Sequence, residues 1–104
     1  MQSYYVEVFD IGFSKKKSDD GMLKGKYIKT RANSINNLRK NLIDKYFDLG
    51  KQKILMVYKL KEDGTHDENP NGVLLLNFKG AFWGVKPGQS HKISLKTGRL
   101  IEGD

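Results

Sequence analysis

The chain contains no cysteine, and it has few histidines, few prolines and no long apolar run. Without cysteine there can be no disulfide, no thiolate metal ligand and no cysteine nucleophile, which agrees with the reducing cytoplasm where we expect this protein. The longest apolar runs, residues 54–58 and 73–76, are far shorter than the roughly 20 residues needed to cross a bilayer. The first ten residues lack the basic start of a secretory signal. These absences predict a soluble cytoplasmic protein without a membrane partner.

The length of 104 residues is enough for one domain with one core, so we expect a single domain over residues 1–104. Hydrophobic residues make up 38% of the chain, to which 11 glycines are added. This apolar share is ordinary for globular proteins and predicts a folded domain.

Residues 34–49 form the one strongly predicted helix. Asn33 or Ser34 can act as its N-cap, and Gly50 can end it in a left-handed conformation. Apolar side chains recur on one side of this helix at the spacing of an amphipathic helix, namely Ile35, Leu38, Leu42, Tyr46 and Leu49. Arg39 lies at the margin of this stripe, so we expect its stem to cover apolar surface while its charged head reaches water.

The remaining chain is read as strands and turns. Strands are predicted over residues 4–13, 23–31, 53–60, 73–79 and 81–85, with a last small hairpin over 91–95 and 99–101. The predicted fold is therefore α+β, with one antiparallel sheet of five to six strands in the element order β-β-α-β-β-β, or with one strand more. One helix covers one sheet face. For the other face there are three alternatives: it is exposed to solvent, it is bent into a half-barrel by glycines 80, 84 and 88, or it is covered by a partner chain.

The formal net charge is +7, and it is unevenly distributed. Residues 62–68 hold four acidic residues and no basic ones, whereas the positive charge concentrates before them. A basic balance favours acidic partners, which here are nucleic acid or an acidic protein surface. The alternative is a basic surface that serves only solubility.

The first hairpin carries most of the functional signal. Tyr27 alternates with cations in its second strand, and a basic strand with exposed aromatic rings can hold single strands by stacking. The residues that we expect to contact nucleic acid, with weak and salt-dependent affinity, are Lys15, Lys16, Lys17, Lys24, Lys26, Tyr27, Lys29 and Arg31. This hypothesis requires the cations to gather on one surface. The alternative is a solvated hairpin whose lysines prevent edge-to-edge pairing of sheets.

Phe82 and Trp83 support a second hypothesis. Neighbours in a strand point to opposite faces, so we expect one of the two rings to be partly exposed. An exposed ring on an uncovered sheet face would contact a partner chain or a second copy, as in an assembly module that forms a homodimer.

Catalysis has little support in the sequence. The only histidines are His66, in the acidic loop, and His91, which follows Ser90 but points away from it in a strand. The loop from Asp63 to Gly72 alternates oxygen-bearing residues, but it lacks the glycine and glutamate that a calcium-binding EF-hand loop requires. We therefore expect a non-enzymatic binding module without catalytic residues, cofactor or metal.

Overall fold

The computed structural model describes residues 1–11 and 25–101 as one antiparallel sheet with a single helix. The strands, in chain order, are β1 (Gln2–Ile11), β2 (Gly25–Ala32), β3 (Gln52–Lys59), β4 (Gly72–Asn77), β5 (Gly80–Gly84) and β6 (His91–Ile93). Helix α1 (Ile35–Tyr46) lies between β2 and β3 in the chain. The predicted α+β class and the antiparallel sheet are confirmed.

The strands stand in the spatial order β2-β1-β3-β4-β5-β6. Strand β1 therefore lies inside the sheet, where it pairs with β2 on one side and with β3 on the other. The chain leaves β2 at the sheet edge, forms α1 and re-enters on the far side of β1. The predicted last hairpin is present but short. Ile93 and Leu100 form an isolated bridge, and backbone hydrogen bonds join the Ser94 N–H to the Arg99 carbonyl and the Ile101 N–H to the Lys92 carbonyl, each at 2.9 Å.

Helix α1 begins as expected and ends earlier than expected. Ser34 has an extended backbone, and its hydroxyl accepts a hydrogen bond from the Asn37 N–H at 3.2 Å. The helix stops at Tyr46 and not at residue 49, because Phe47 turns extended and packs against the core from that position. Gly50 is therefore not the residue that ends it, and Leu49 is exposed.

The core lies between α1 and one face of the sheet. Every second residue of the central strands is buried there, and the helix contributes Leu38, Leu42 and Ile43. The sheet contributes Tyr4, Val6, Val8, Ala32, Leu55, Val57, Leu74, Leu76, Ala81, Trp83 and Ile93. Burying a Val, Leu or Ile side chain of this kind contributes roughly 1.5–3 kcal/mol. This contact fixes which face of the sheet is left for other contacts.

Arg39 corrects the expectation that its head reaches water, because the side chain is only 4% exposed. Its Nε donates a hydrogen bond to the Gly98 carbonyl at 2.7 Å, and Nη2 donates one to Asn36 Oδ1. Its Cζ lies 5.2 Å from the centroid of the Trp83 ring. Burial lowers the pKa of Arg39. Arg39 thus ties the segment after β6 to the helix and to the sheet.

Gly98 makes this close approach possible. Its φ is +73°, and an added Cβ would meet the Asn36 carbonyl oxygen at 2.5 Å and the Lys40 nitrogen at 2.8 Å. Any other residue would be strained there and would push the segment off the helix. No helix in the described ranges is long and apolar enough to cross a membrane.

Candidate nucleic-acid interface

The face of the sheet opposite α1, termed the open face, carries the residues that alternate with the core. Cross-strand register assigns to it Ser3, Tyr5, Glu7, Phe9, Tyr27, Lys29, Arg31, Ile54, Met56, Tyr58, Val73, Leu75 and Phe82. Part of it is covered by the chain itself, since the Gln89 backbone lies against Gly84. His66, from the loop after β3, covers a further part by packing on Tyr5 and on Tyr58, which is buried. The other aromatic and aliphatic side chains of the open face are half-buried or exposed.

Four rings form an aromatic cluster across β2, β1 and β3: Tyr27, Tyr5, Tyr58 and His66. Tyr27 stacks on Tyr5 with centroids 4.9 Å apart and planes at 16°, and Tyr5 stacks on His66 at 5.4 Å and the same angle. His66 also contacts Tyr58, at 4.5 Å. Tyr27 is 56% exposed, so the cluster ends in a ring that water reaches.

A shallow cavity of about 410 Å³ is lined by residues of β1, β2 and the segment after β3, among them Lys29, the cross-strand partner of Tyr5. The charged and hydroxyl residues that line it, which define what we term the cationic cavity, are Ser3, Lys29, Thr30, Arg31, Lys61 and Glu62. Lys29 and Arg31 are next-but-one neighbours in β2, so their Cα atoms stand roughly 6.8 Å apart along the strand. Lys61 is held by Asp67 in an ion pair, so Lys29 and Arg31 are the two cations that make this cavity suited to an anion such as phosphate.

The acidic loop that follows β3 has some of its charge already engaged. Asp67 forms an ion pair with Lys61 at 3.0 Å. Asp63 accepts hydrogen bonds from the Thr65 hydroxyl and N–H, at 2.6 and 3.0 Å, and these bonds lower the pKa of Asp63. Asp63 therefore stays ionised, and Glu62 of the same loop adds a negative charge to the lining of the cationic cavity.

Glu7 is the one acid that the register places on the open face itself. It pairs across the strands with Tyr27, so its carboxylate lies next to the Tyr27 side chain on the open face. Interaction with this carboxylate raises the pKa of Tyr27. The Glu7 carboxylate extends over Gly25, where an added Cβ would meet Glu7 Cγ at 2.9 Å and Oε2 at 3.0 Å.

The structure brings together only some of the cations predicted to bind nucleic acid. Tyr27, Lys29 and Arg31 share the open face, but Lys26 pairs with the core residue Val8 and so points to the other side of β2. The expectation of one common surface therefore does not hold for Lys26, because strand alternation separates it from its neighbours. Four further predicted residues lie outside the described residues, namely Lys15, Lys16, Lys17 and Lys24.

Phe82 and Trp83 point to opposite faces, as expected for neighbours in a strand. Trp83 is only 5% exposed, because it packs on the core side against Arg39 and over Gly72. This burial corrects the predicted partner contact of Trp83. Phe82 is half-buried on the open face, in register with Leu75.

Sequence reasoning missed three rings of the aromatic cluster. Tyr5 and Tyr58 lie in phase on β1 and β3, but only the pairing of those strands brings them together. His66 comes from a loop, and no local pattern indicates that it stacks on Tyr5. Within residues 1–11 and 25–101, no three His, Asp or Glu side chains gather into a metal-binding group. No protein-family model, no curated protein and no solved structure matches this chain.

Proposed function

We propose that this protein binds single-stranded nucleic acid, without catalysing a reaction, through the aromatic cluster and the cationic cavity of the open face. The observation that carries this proposal is the exposed ring of Tyr27, stacked on Tyr5 and next to a cavity lined by Lys29 and Arg31. A base would stack on Tyr27 while its neighbouring phosphate enters the cavity.

The chemistry of the two parts favours a single strand over a duplex. Base–aromatic stacking is worth about 1–3 kcal/mol per base and requires an unpaired base whose flat face is free. The guanidinium of Arg31 can hold two phosphate oxygens at once, and the ammonium of Lys29 supplies a point charge. Stacking and phosphate contacts do not depend on which base is present, so these contacts alone give affinity for single strands without sequence specificity.

The salt dependence of binding follows from the number of cations engaged. For single strands the logarithm of the binding constant falls with the logarithm of salt concentration by about 0.7 for each phosphate neutralised. Lys29→Ala combined with Arg31→Ala should therefore reduce the slope by about 1.4. Lys45→Ala combined with Lys51→Ala removes the same charge near the end of α1 and should leave the slope nearly unchanged.

The experiment is a fluorescence anisotropy titration of labelled single-stranded and duplex oligonucleotides at several salt concentrations. Tyr27→Ala should weaken single-strand binding about 5- to 140-fold, which corresponds to the loss of one stacked base. Phe78→Ala is the matched control, because Phe78 is an exposed ring in the turn after β4 and lies outside the cluster. Absence of binding at low salt would refute the proposal.

Assembly through the open face is the second candidate function. Phe9, Ile54, Leu75 and Phe82 lie in register across four strands and form an apolar row on this face. Such a row is suited to contact with a second copy of the chain. Sedimentation analysis would then show a dimer that Leu75→Glu dissociates, whereas a monomer at all concentrations would exclude this alternative.

A further inference from the structure

Glu7 occupies an unusual place for an acid in a proposed nucleic-acid site. It is half-buried at the centre of the open face, between Tyr27 on β2 and Met56 on β3. Gly25 leaves the space into which its carboxylate extends, because any side chain at that position would collide with it. The absence of a Cβ at Gly25 therefore leaves room for the Glu7 side chain and for the Phe9 ring, each of which an added Cβ would meet at 2.9 Å.

The hydrogen-bonding capacity of Glu7 exceeds what the described residues use. A carboxylate offers about four lone-pair sites. Its side chain lies over Gly25 and beside its cross-strand neighbour Tyr27, and no salt bridge within the described part of the chain includes it. A half-buried carboxylate gains free energy from further donors. A base stacked on Tyr27 would bring its edge next to these free acceptor sites.

The bases differ in what they offer a carboxylate. Guanine presents two adjacent donors on its Watson–Crick edge, N1–H and the N2 amino group, and can therefore bind both carboxylate oxygens. Adenine and cytosine present a donor beside an acceptor, and uracil presents one donor between two acceptors. Proteins that read single strands use these edges.

We propose that Glu7 makes the interface select guanine at the nucleotide that stacks on Tyr27. This inference rests on the proposed function, since it needs a base at that position. Phosphate repulsion does not oppose it, because the cationic cavity lies on the side of Lys29 and Arg31, one cross-strand pair further along β2. Glu7 thus acts as a specificity residue and Tyr27 as the stacking platform.

The test uses short oligouridine strands with one central base varied among guanine, hypoxanthine, adenine, cytosine and uracil. Anisotropy should show binding about tenfold or more tighter for guanine than for adenine. Hypoxanthine lacks the N2 amino group and should lose much of this preference on the unmodified protein. That comparison needs no variant and remains informative if a Glu7 substitution fails to fold.

Glu7→Gln should abolish the guanine preference while the other strands bind equally well or better, because an amide offers one acceptor and removes a negative charge. Glu68→Gln, in the acidic loop, removes the same charge and should keep the preference. Equal binding of all five strands would overturn this inference but leave the proposed function standing. Failure of every strand to bind at low salt would instead refute the proposed function.

Discussion

Arg39→Met tests whether a buried guanidinium stabilises this fold. The substitution keeps an unbranched side chain of similar reach, but it removes the bond to the Gly98 carbonyl and the contact with the Trp83 ring. A hydrogen bond to a charged group contributes about 1.5–3 kcal/mol, and a desolvated cation–π contact contributes about 1 kcal/mol. The substitution also removes the free-energy cost of burying a charge, which offsets part of the lost stabilisation. The net expected loss is about 2 kcal/mol in the free energy of unfolding.

For a chain of this length, a loss of about 2 kcal/mol lowers Tm by about 8 °C. Thermal and urea unfolding can both be followed by the fluorescence of Trp83, the only tryptophan, with circular dichroism as a second probe. Lys40→Met is the matched control, because Lys40 is exposed and forms a surface ion pair with Asp44 at 2.7 Å, which should change stability by less than about 1 kcal/mol. An Arg39→Met variant as stable as the parent would refute this reasoning and show that desolvation of the charge outweighs its contacts.

Gly98→Ala should cost about 2–4 kcal/mol, measured by thermal unfolding, because it combines a left-handed backbone with a collision against the helix backbone. Gly72→Ala should cost about 1–3 kcal/mol and red-shift the emission of Trp83, since the new methyl group meets the six-membered ring of that side chain. Tyr27 should ionise above its ordinary pKa of 10.0, and Glu7→Gln should lower that pKa, as a difference absorbance titration of the two proteins would show. Because the folded pKa is the raised one, the contribution of Tyr27 to stability is complete below pH 10 and is lost as pH rises further.

Local sequence patterns were sufficient to predict which segments form the helix and the strands. They were not sufficient to predict where the helix ends or which residues pack against it. Side-chain chemistry left Asn33 and Ser34 as candidates for the N-cap, and in the structure the N-cap is Ser34. The end of α1 depends on Phe47, which turns out of the helix to reach a core that the sequence does not display. Arg39 was expected at the surface because a charge at the margin of a stripe is ordinarily solvated. Its burial depends on partners far along the chain, such as Gly98.

The candidate site also combines features that the sequence predicts with features that depend on the folded structure. Tyr27, Lys29 and Arg31 lie on one face because of strand alternation, which can be read directly from the sequence. Their meeting with Tyr5 depends on which strands pair, and the stacking of His66 depends on a loop conformation. Alternation also predicted that Phe82 and Trp83 separate. Only the pairing of strands and the residues packed on each face determine which of the two rings is buried.

The interior position of β1 has a consequence for how the chain acquires its structure. Strands β1 and β2 pair as sequence neighbours, and so do β3, β4, β5 and β6, but these two parts become one sheet only when β3 reaches β1. Tyr4 must pair with Lys59, although helix α1 lies between them in the chain. Closing this long loop costs conformational entropy before any contact between the strands compensates for it. During synthesis, the edge of β1 that pairs with β3 would therefore stay unpaired until residue 59 has left the ribosome.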